Sequence, residues 1–430
     1  MSLDNLGSCY KDNSYRWYPL DNSAKIYPLA IKENWMNVYR LSYYLKEDVN
    51  PYILQIALTF TMKRFPTFTT TIRRGFFWHY IDGIKKRFQV YEDKRLPCSY
   101  INVSNTRKQS FKAVYYKNRI SVEYFHVLTD GHGAVCFIST LVSTYLRLMG
   151  KKIDTNDIVL NVEEEPKKEE ILDEFVNIKV KSKSNSLMES KAVQLDGKLS
   201  NIKPSQIIHF DIPLNDLKKS SNERNSTITE MIVTLLFLIL NQSTSKEGNI
   251  KIQIPINMRK YYNSKSLRNF SLYAIISINK KDITDYDSVL NEVKKQLKEK
   301  NNINYLNGLM VYSRKLVNSI KFMPLFIKKP IASIIYGFAG DKSTTTVLSN
   351  LGVINIPDNM KNNIEKMDFV LGTALTNRIL FSLITVNDIV TLSITKYTTN
   401  ASVENLLYKT LIDMNIDIKV HGSENYENRK

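Results

Sequence analysis

The chain has 430 residues, 43% of them apolar and 24% charged, which excludes global disorder and sets an expectation of two domains. The net charge of +18 is uneven: residues 51–150 carry +10 and 251–350 carry +11, while 151–250 carry −2. Such blocks suit a phosphate-bearing ligand or an anionic surface, but no RNP-like, helix-turn-helix or zinc-finger pattern accompanies them, so nucleic acid is not an expected partner.

In chain order, Asn37 to Tyr44 reads as a strand, and Asn50-Pro51 then supplies a helix cap with proline at the first helical position. The helix that follows is expected to place Ile53, Ile56, Ala57 and Phe60 on its buried face. Thr67 to Tyr80 is rich in β-formers. Phe111 to Tyr116 and Ile120 to Phe125 flank a hairpin turn at Lys117-Asn118-Arg119. Gly133 to Met149 reads as an amphipathic helix stopped by Gly150.

A charged, weakly periodic stretch over 166–204 is the candidate linker or crossover between an N-terminal unit, 1–165, and a C-terminal unit, 205–430. The second unit begins with a strand, Gln206 to Ile212. Thr227 and Glu230 have capping-box spacing ahead of the apolar helix Met231 to Leu240. Strands are expected at Lys251 to Ile256 and Phe270 to Ile278, a helix from Asp285 to Lys300, and helical, partly basic structure over 304–338. Strand patterns return at Thr344 to Leu351, Met367 to Leu371, Arg378 to Val386 and Ile389 to Lys396. A helix from Val403 to Met414 and a strand from Ile416 to Val420 follow. The class is α/β with mixed sheets.

Cys9, Cys98 and Cys136 are far apart and odd in number, with no C-x-x-C spacing, which argues against a disulfide framework or a zinc knuckle. No metal-ligand cluster is visible and no metal is expected. The longest apolar run, Met231 to Leu240, is about half of what a bilayer core needs. The segment from Met1 lacks the basic start and apolar stretch of a secretory signal. The expectation is a reduced, cytoplasmic protein.

Histidine is scarce, with five in the chain, and one of them opens a compact motif: His126, then Asp130 four residues on and Gly131 next, in EYFHVLTDGHG. A histidine at the end of a buried strand, titrating near neutrality, suits a general base. The Asp-Gly pair turns the chain sharply into the next helix, where glycine tolerates dihedrals that other residues do not. His132 is the local alternative.

The string EYFHVLTDGHGA resembles the active-site motif of the HxxxD-type acyltransferase superfamily, which includes chloramphenicol acetyltransferase, the alcohol acetyltransferases and the condensation domains of peptide synthetases. Many members carry a second histidine just before the catalytic one, where Phe125 stands here. Ile254-Pro255-Ile256-Asn257-Met258-Arg259 looks like the P-x-x-x-R segment of these relatives, and Arg268-Asn269-Phe270 continues the pattern. Thr346 to Gly352, TVLSNLG, resembles their SNxG strand. The plant group's DFGWG segment is absent.

The resemblance implies two chloramphenicol-acetyltransferase-like subdomains facing each other across an active-site tunnel. It makes His126 the general base, pairs Arg259 with Asp130 to hold the loop with Gly131, and makes Ser349 or Asn350 the donor to the developing oxyanion. It further implies acyl-CoA as co-substrate, with no permanently bound cofactor, and transfer of an acyl group, by expectation acetyl, to a small-molecule hydroxyl or amine. A stand-alone condensation-type enzyme fed by an acyl-carrier protein is the alternative. Individual CoA contacts are not assigned; Arg314, Lys315, Lys321, Lys328 and Lys329 are the densest candidates for its phosphates. The run Phe322-Met323-Pro324-Leu325-Phe326-Ile327 among them has lipid-facing character, but membrane contact is not expected. Because the two halves supply both sides of the site, a monomer suffices.

Overall fold

The computed structural model describes residues 17–31, 37–84, 88–99, 101, 109–184, 190–200, 204, 206–339, 341–372, 374 and 376–422. Cys9 lies outside them, as do parts of the 166–204 segment; Cys98 and Cys136 are free and buried.

The first half contains β1 (Trp17–Pro19), α1 (Tyr27–Ala30), β2 (Val38–Leu45), α2 (Pro51–Arg64), β3 (Thr70–Arg74), β4 (His79–Gly83), β5 (Val90–Glu92), β6 (Phe111–Tyr116), β7 (Arg119–Phe125) and α3 (Gly131–Leu148). Asn50 caps α2 by accepting from the backbone nitrogens of Tyr52 and Ile53. The buried face of α2 differs from expectation. Leu54, Ala57, Leu58, Thr61 and Met62 are buried, at i, i+3, i+4, i+7 and i+8, while Ile53, Ile56 and Phe60 are only partly covered. The full five-residue stripe outweighs the shorter one when the helix docks. The β6–β7 turn is tighter than expected: Lys117 and Asn118 alone make it, Lys117 taking a positive φ of 49°.

The crossover carries a short helix, α4 (Glu174–Asn177). It is anchored rather than loose: Arg64 pairs with Glu170 in the interior, and Phe175 packs edge-on against Phe270 at 5.4 Å. The second half contains β8 (Gln206–Pro213), α5 (Leu214–Glu223), α6 (Ile228–Gln242), β9 (Asn249–Asn257), α7 (Arg259–Tyr262), β10 (Ser271–Asn279), α8 (Tyr286–Lys300), α9 (Ile303–Ser319) and α10 (Leu325–Ala339). After these come β11 (Thr346–Val353), α11 (Asp358–Lys361), β12 (Ile364–Leu371), β13 (Ile379–Val386), β14 (Ile389–Lys396), α12 (Ser402–Asp413) and β15 (Lys419–Gly422). The capping box at Thr227 and Glu230 is formed. The polar helix α5 has no counterpart in the sequence reading. The last strand lies three residues later than expected at its start, because the pairing of His421 with His209 sets its register.

Three sheets result: β1-β4-β3, the five-stranded β12-β2-β7-β6-β5, and the seven-stranded β10-β9-β11-β13-β14-β8-β15. The seven-stranded sheet mixes directions, since β11 runs parallel to both β9 and β13 while the other pairs are antiparallel. The five-stranded sheet is made of first-half strands except at one edge, where β12 pairs antiparallel with β2. Two large cores follow this division, and residues of 354–370 join the first of them. The end of β7, the start of α3 and the β9–β10 and β11 segments thereby meet around His126 and Asp130.

Candidate active site

His126 follows directly on β7. Its backbone nitrogen donates to Asn37 O at 2.8 Å, and its ring lies against Tyr27 at 4.6 Å and meets the edge of Tyr39 at 5.1 Å. Nδ1 sits 3.0 Å from Asn269 Oδ1. The orientation of that amide follows from its other end: Asn269 Nδ2 donates to Asp21 Oδ2 at 3.1 Å, and an ionised carboxylate only accepts. The amide oxygen therefore faces the imidazole, Nδ1 must carry the proton, and Nε2 is left with its lone pair. Asp21 is itself fixed by Ala24 N at 2.7 Å and by Arg268 Nε at 3.7 Å. Burial lowers the His126 pKa below the ordinary histidine value, against the opposing pull of its own backbone carbonyl, Asp130, Asn269 and Asp21. The ring is thus a neutral base at neutral pH.

Asp130 caps α3 by accepting from Gly133 N at 3.3 Å. Its other oxygen accepts from Arg259 Nη1 and from Phe270 N, both at 2.8 Å. Burial alone would raise its pKa, but the Arg259 charge and these hydrogen bonds outweigh that and hold it below the usual carboxylate range. Arg259 makes four further hydrogen bonds to three acceptors: Nε donates to Ser266 O at 2.7 Å, Nη2 to Arg268 O, and both Nη1 and the backbone nitrogen to Asn257 Oδ1, at 3.2 and 3.1 Å. One guanidinium ties the start of α3 to the β9–β10 connection, and that connection delivers Asn269 to His126.

Gly131 departs from expectation. Its φ is not positive, so no unusual dihedral requires glycine. Its role is steric: a Cβ there would lie 2.4 Å from Leu351 Cδ2, so the missing side chain lets α3 approach β11. Gly133 is tighter still, with Leu267 O and Thr129 Oγ1 each 2.2 Å from a Cβ position.

Along β11, side chains alternate between faces. Asn350 faces α6, on the side of the buried Leu348, and Ser349 lies on the other side; the register with β13 then shifts between Asn350 and Val353. Asn350 is engaged at both ends, its Nδ2 donating to Thr229 Oγ1 at 3.0 Å and its Oδ1 accepting from Gly352 N at 2.8 Å. Ser349 Oγ makes no hydrogen bond among the described residues. Of the two expected oxyanion donors, Asn350 is thus hydrogen-bonded within the fold and the Ser349 hydroxyl is not. His132, the alternative base, lies within α3 with Nε2 3.8 Å from Cys136 Sγ, and burial lowers its pKa to about 4.

Two of the five cations considered for CoA phosphates are committed elsewhere. Arg314 donates to Phe175 O and Ile178 O, and Lys328 to Phe77 O, since a covered cation needs acceptors. Lys315, Lys321 and Lys329 are exposed. Asn269, Asp21, Tyr27 and Tyr39 are site residues that sequence reasoning did not assign; Asn269 lies in the Arg268-Asn269-Phe270 string, Asp21 and Tyr27 in YPLDNSAKIYP, and Tyr39 in the strand read from Asn37 to Tyr44. Among the described residues no group of histidine, cysteine, aspartate or glutamate has metal-binding geometry, and no helix is long and apolar enough to cross a membrane.

No family model matches the chain, and no curated protein matches it by sequence. Solved structures do match. TRI3, the trichothecene 15-O-acetyltransferase of Fusarium sporotrichioides, is 13% identical, with 93% of this chain and 94% of that one aligned at a TM-score of 0.60. TRI101 of F. graminearum, complexed with ethyl coenzyme A, is 10% identical over 94% and 99% of the two chains, at a TM-score of 0.62. The nonribosomal peptide synthetase FmoA3 is 11% identical over 94% of this chain and 42% of that one, at a TM-score of 0.58. At these identities the likeness establishes the fold, the two-lobed chloramphenicol-acetyltransferase-like architecture that the sequence motifs implied.

Proposed function

We propose that the chain is an acyltransferase that moves an acyl group from acyl-CoA to the hydroxyl of a small molecule, with His126 as general base and no covalent acyl-enzyme. The observation that carries this reading is the fixed imidazole: Nδ1 is held by Asn269 and Asp21, so Nε2 presents a lone pair where the two lobes meet. Nε2 takes the acceptor's proton as its oxygen forms a bond to the thioester carbonyl carbon. Ser349 steadies the resulting oxyanion. When the intermediate collapses, the carbon–sulfur bond breaks, the electron pair leaves with sulfur, and the imidazolium returns the proton to give the CoA thiol. Asp130 and Arg259 touch no reactant in this scheme; they hold the frame. The acyl donor and the acceptor enter a tunnel between units 1–165 and 205–430 from opposite sides. The ethyl coenzyme A complexed with TRI101 supports acyl-CoA as co-substrate.

The test is thiol release from acetyl-CoA and longer acyl-CoAs over a panel of alcohols and amines, with the wild type beside His126→Ala. Acceptor-dependent release that falls by about 10²–10⁴-fold in the variant is the expected result. Release that survives unchanged overturns His126 as base. Transfer seen only from an acyl-carrier-protein thioester replaces CoA by the condensation-type donor, the reading to which the FmoA3 likeness lends weight.

A further inference from the structure

Away from the site, the turn between β3 and β4 and the segment entering α10 form a platform of exposed aromatic rings. Phe76, Phe322 and Phe326 are 67%, 76% and 68% exposed, and Phe77, Ile327 and Ile331 each 39%. The rings adjoin, Phe76 to Phe77 at 4.8 Å and Phe77 to Phe322 at 6.2 Å. The platform is built rather than loose: Leu325 N donates to Phe76 O at 2.8 Å, and Lys328 Nζ donates to Phe77 O at 2.7 Å while lying 3.4 Å from the centre of the Trp78 ring. The start of α10 thus presents Phe326, Ile327 and Ile331 outward while Leu325 is covered.

The two segments that build it carry charge of one sign. Residues 49–81 and 300–340 contain no aspartate or glutamate, and Lys321 and Lys329 are exposed among the rings. Exposed aromatic side chains beside lysines, in segments without carboxylates, match the boundary of a bilayer, where rings settle among headgroups and ammonium groups meet lipid phosphates. We infer that this platform docks the protein on the surface of an anionic lipid bilayer, its phenylalanines at the headgroup–acyl boundary and Lys321 and Lys329 against the phosphates. This goes against the expectation from sequence, which saw the apolar run but not the Phe76–Phe77 turn folded against it. The docked face also neighbours the site, since α1 packs against α10 and its Tyr27 touches His126.

The experiment is flotation of the full chain with vesicles of phosphatidylcholine alone and of phosphatidylcholine with phosphatidylglycerol, at low and high salt. The wild type is expected to float with the anionic vesicles and to be released by salt. Phe76→Ser/Phe322→Ser/Phe326→Ser should lower partitioning by more than about tenfold. Lys321→Gln/Lys329→Gln should lower it by about fivefold per lysine on anionic vesicles only. These side chains are exposed, so melting temperatures should match the wild type; should the serine variant melt early, the lysine pair still decides. The inference falls if the wild type ignores anionic vesicles at low salt, or if both variants float as it does. It also falls if the platform serves instead to hold a dimer, or a complex with acyl-carrier protein, that the serine variant dissociates.

Discussion

Asn269 presents its side-chain oxygen to His126 Nδ1 at 3.0 Å because its nitrogen is committed to Asp21 at 3.1 Å, two contacts between segments about as far apart in the chain as the two lobes. The pair makes the choice of tautomer a structural property. Asn269→Ala should lower kcat on the order of 10- to 100-fold, part of what a positioned base contributes, with little change in KM. Both Asn269 and Asp21 raise the His126 pKa, so removing either lets burial lower it further. The acid limb of the kcat/KM profile should therefore move to lower pH in Asn269→Ala and in Asp21→Asn. A merely structural role would leave that limb in place.

Ser349 and Asn350 separate by their partners. Ser349→Ala should cut kcat by up to about 10²–10³-fold if its hydroxyl meets the oxyanion, and leave the melting temperature nearly unchanged. Asn350→Ala loses the contacts to Thr229 and Gly352 and should act mainly on stability, by about 1–2 kcal/mol. Steady-state kinetics beside thermal melts checks the contrast, and the reverse pattern would exchange the two roles.

How far the sequence could reach is visible in these same residues. Strand alternation shows that Ser349 and Asn350 point to opposite faces, but not which of them faces α6; that depends on Asn350 reaching Thr229. The His126 segment and the Arg259 segment carry short, recognisable patterns, so their meeting was legible by resemblance. Asn269 lies in such a pattern too, but its partnership with Asp21 was not legible, because a contact across 248 residues leaves no periodicity. β12 shows the same limit. Its strand character is local and readable, whereas its choice of β2 over the neighbours of its own half is set by burial of Met367 and Phe369 in the first core. The buried stripe of α2 was misplaced for a related reason, since both candidate stripes are apolar and only the docked partner decides between them.

The two glycines at the start of α3 should behave unlike each other. A Cβ at Gly131 meets the far end of a flexible leucine, which can rotate away, and alanine also improves the helix. Gly131→Ala should stay within about 1 kcal/mol of the wild type. A Cβ at Gly133 meets a backbone carbonyl 2.2 Å away that cannot yield without moving the β9–β10 connection. Gly133→Ala should cost about 3 kcal/mol or more and weaken activity with it. Urea denaturation of the two variants checks the difference.

Arg259 should not accept lysine. Its guanidinium joins Asp130 to three backbone and side-chain oxygens at once, and a single ammonium cannot reach them all. Arg259→Lys should lose about 3–5 kcal/mol, as expected when a buried carboxylate is left underpaired. Asp130→Asn together with Arg259→Met removes both charges and should recover part of that loss without restoring kcat. Chemical denaturation and kinetics of the single and double variants measure the coupling.

Stability should fall as the solution is acidified below neutrality. Burial lowers the pKa of His79 and of His132 from 6.5 to about 4, and lowers those of His126 and His209 in the same direction. Between about pH 6.5 and pH 4 the unfolded chain therefore binds protons that the folded chain refuses, so stability is complete above that window and is lost as pH falls through it. Each histidine contributes up to roughly 1.4 kcal/mol per pH unit. Asp173 works against them, because burial raises its pKa from 3.8 to about 6, and the folded chain then binds the extra proton over part of the same window. Four histidines against one aspartate fix the net sign. Denaturant midpoints taken from about pH 7 down to about pH 4.5 should decline steadily, and His132→Gln should flatten the slope. A midpoint that held constant or rose on acidification would mean that the buried histidines are protonated in the folded chain, which would also remove the neutral His126 on which the proposed chemistry depends.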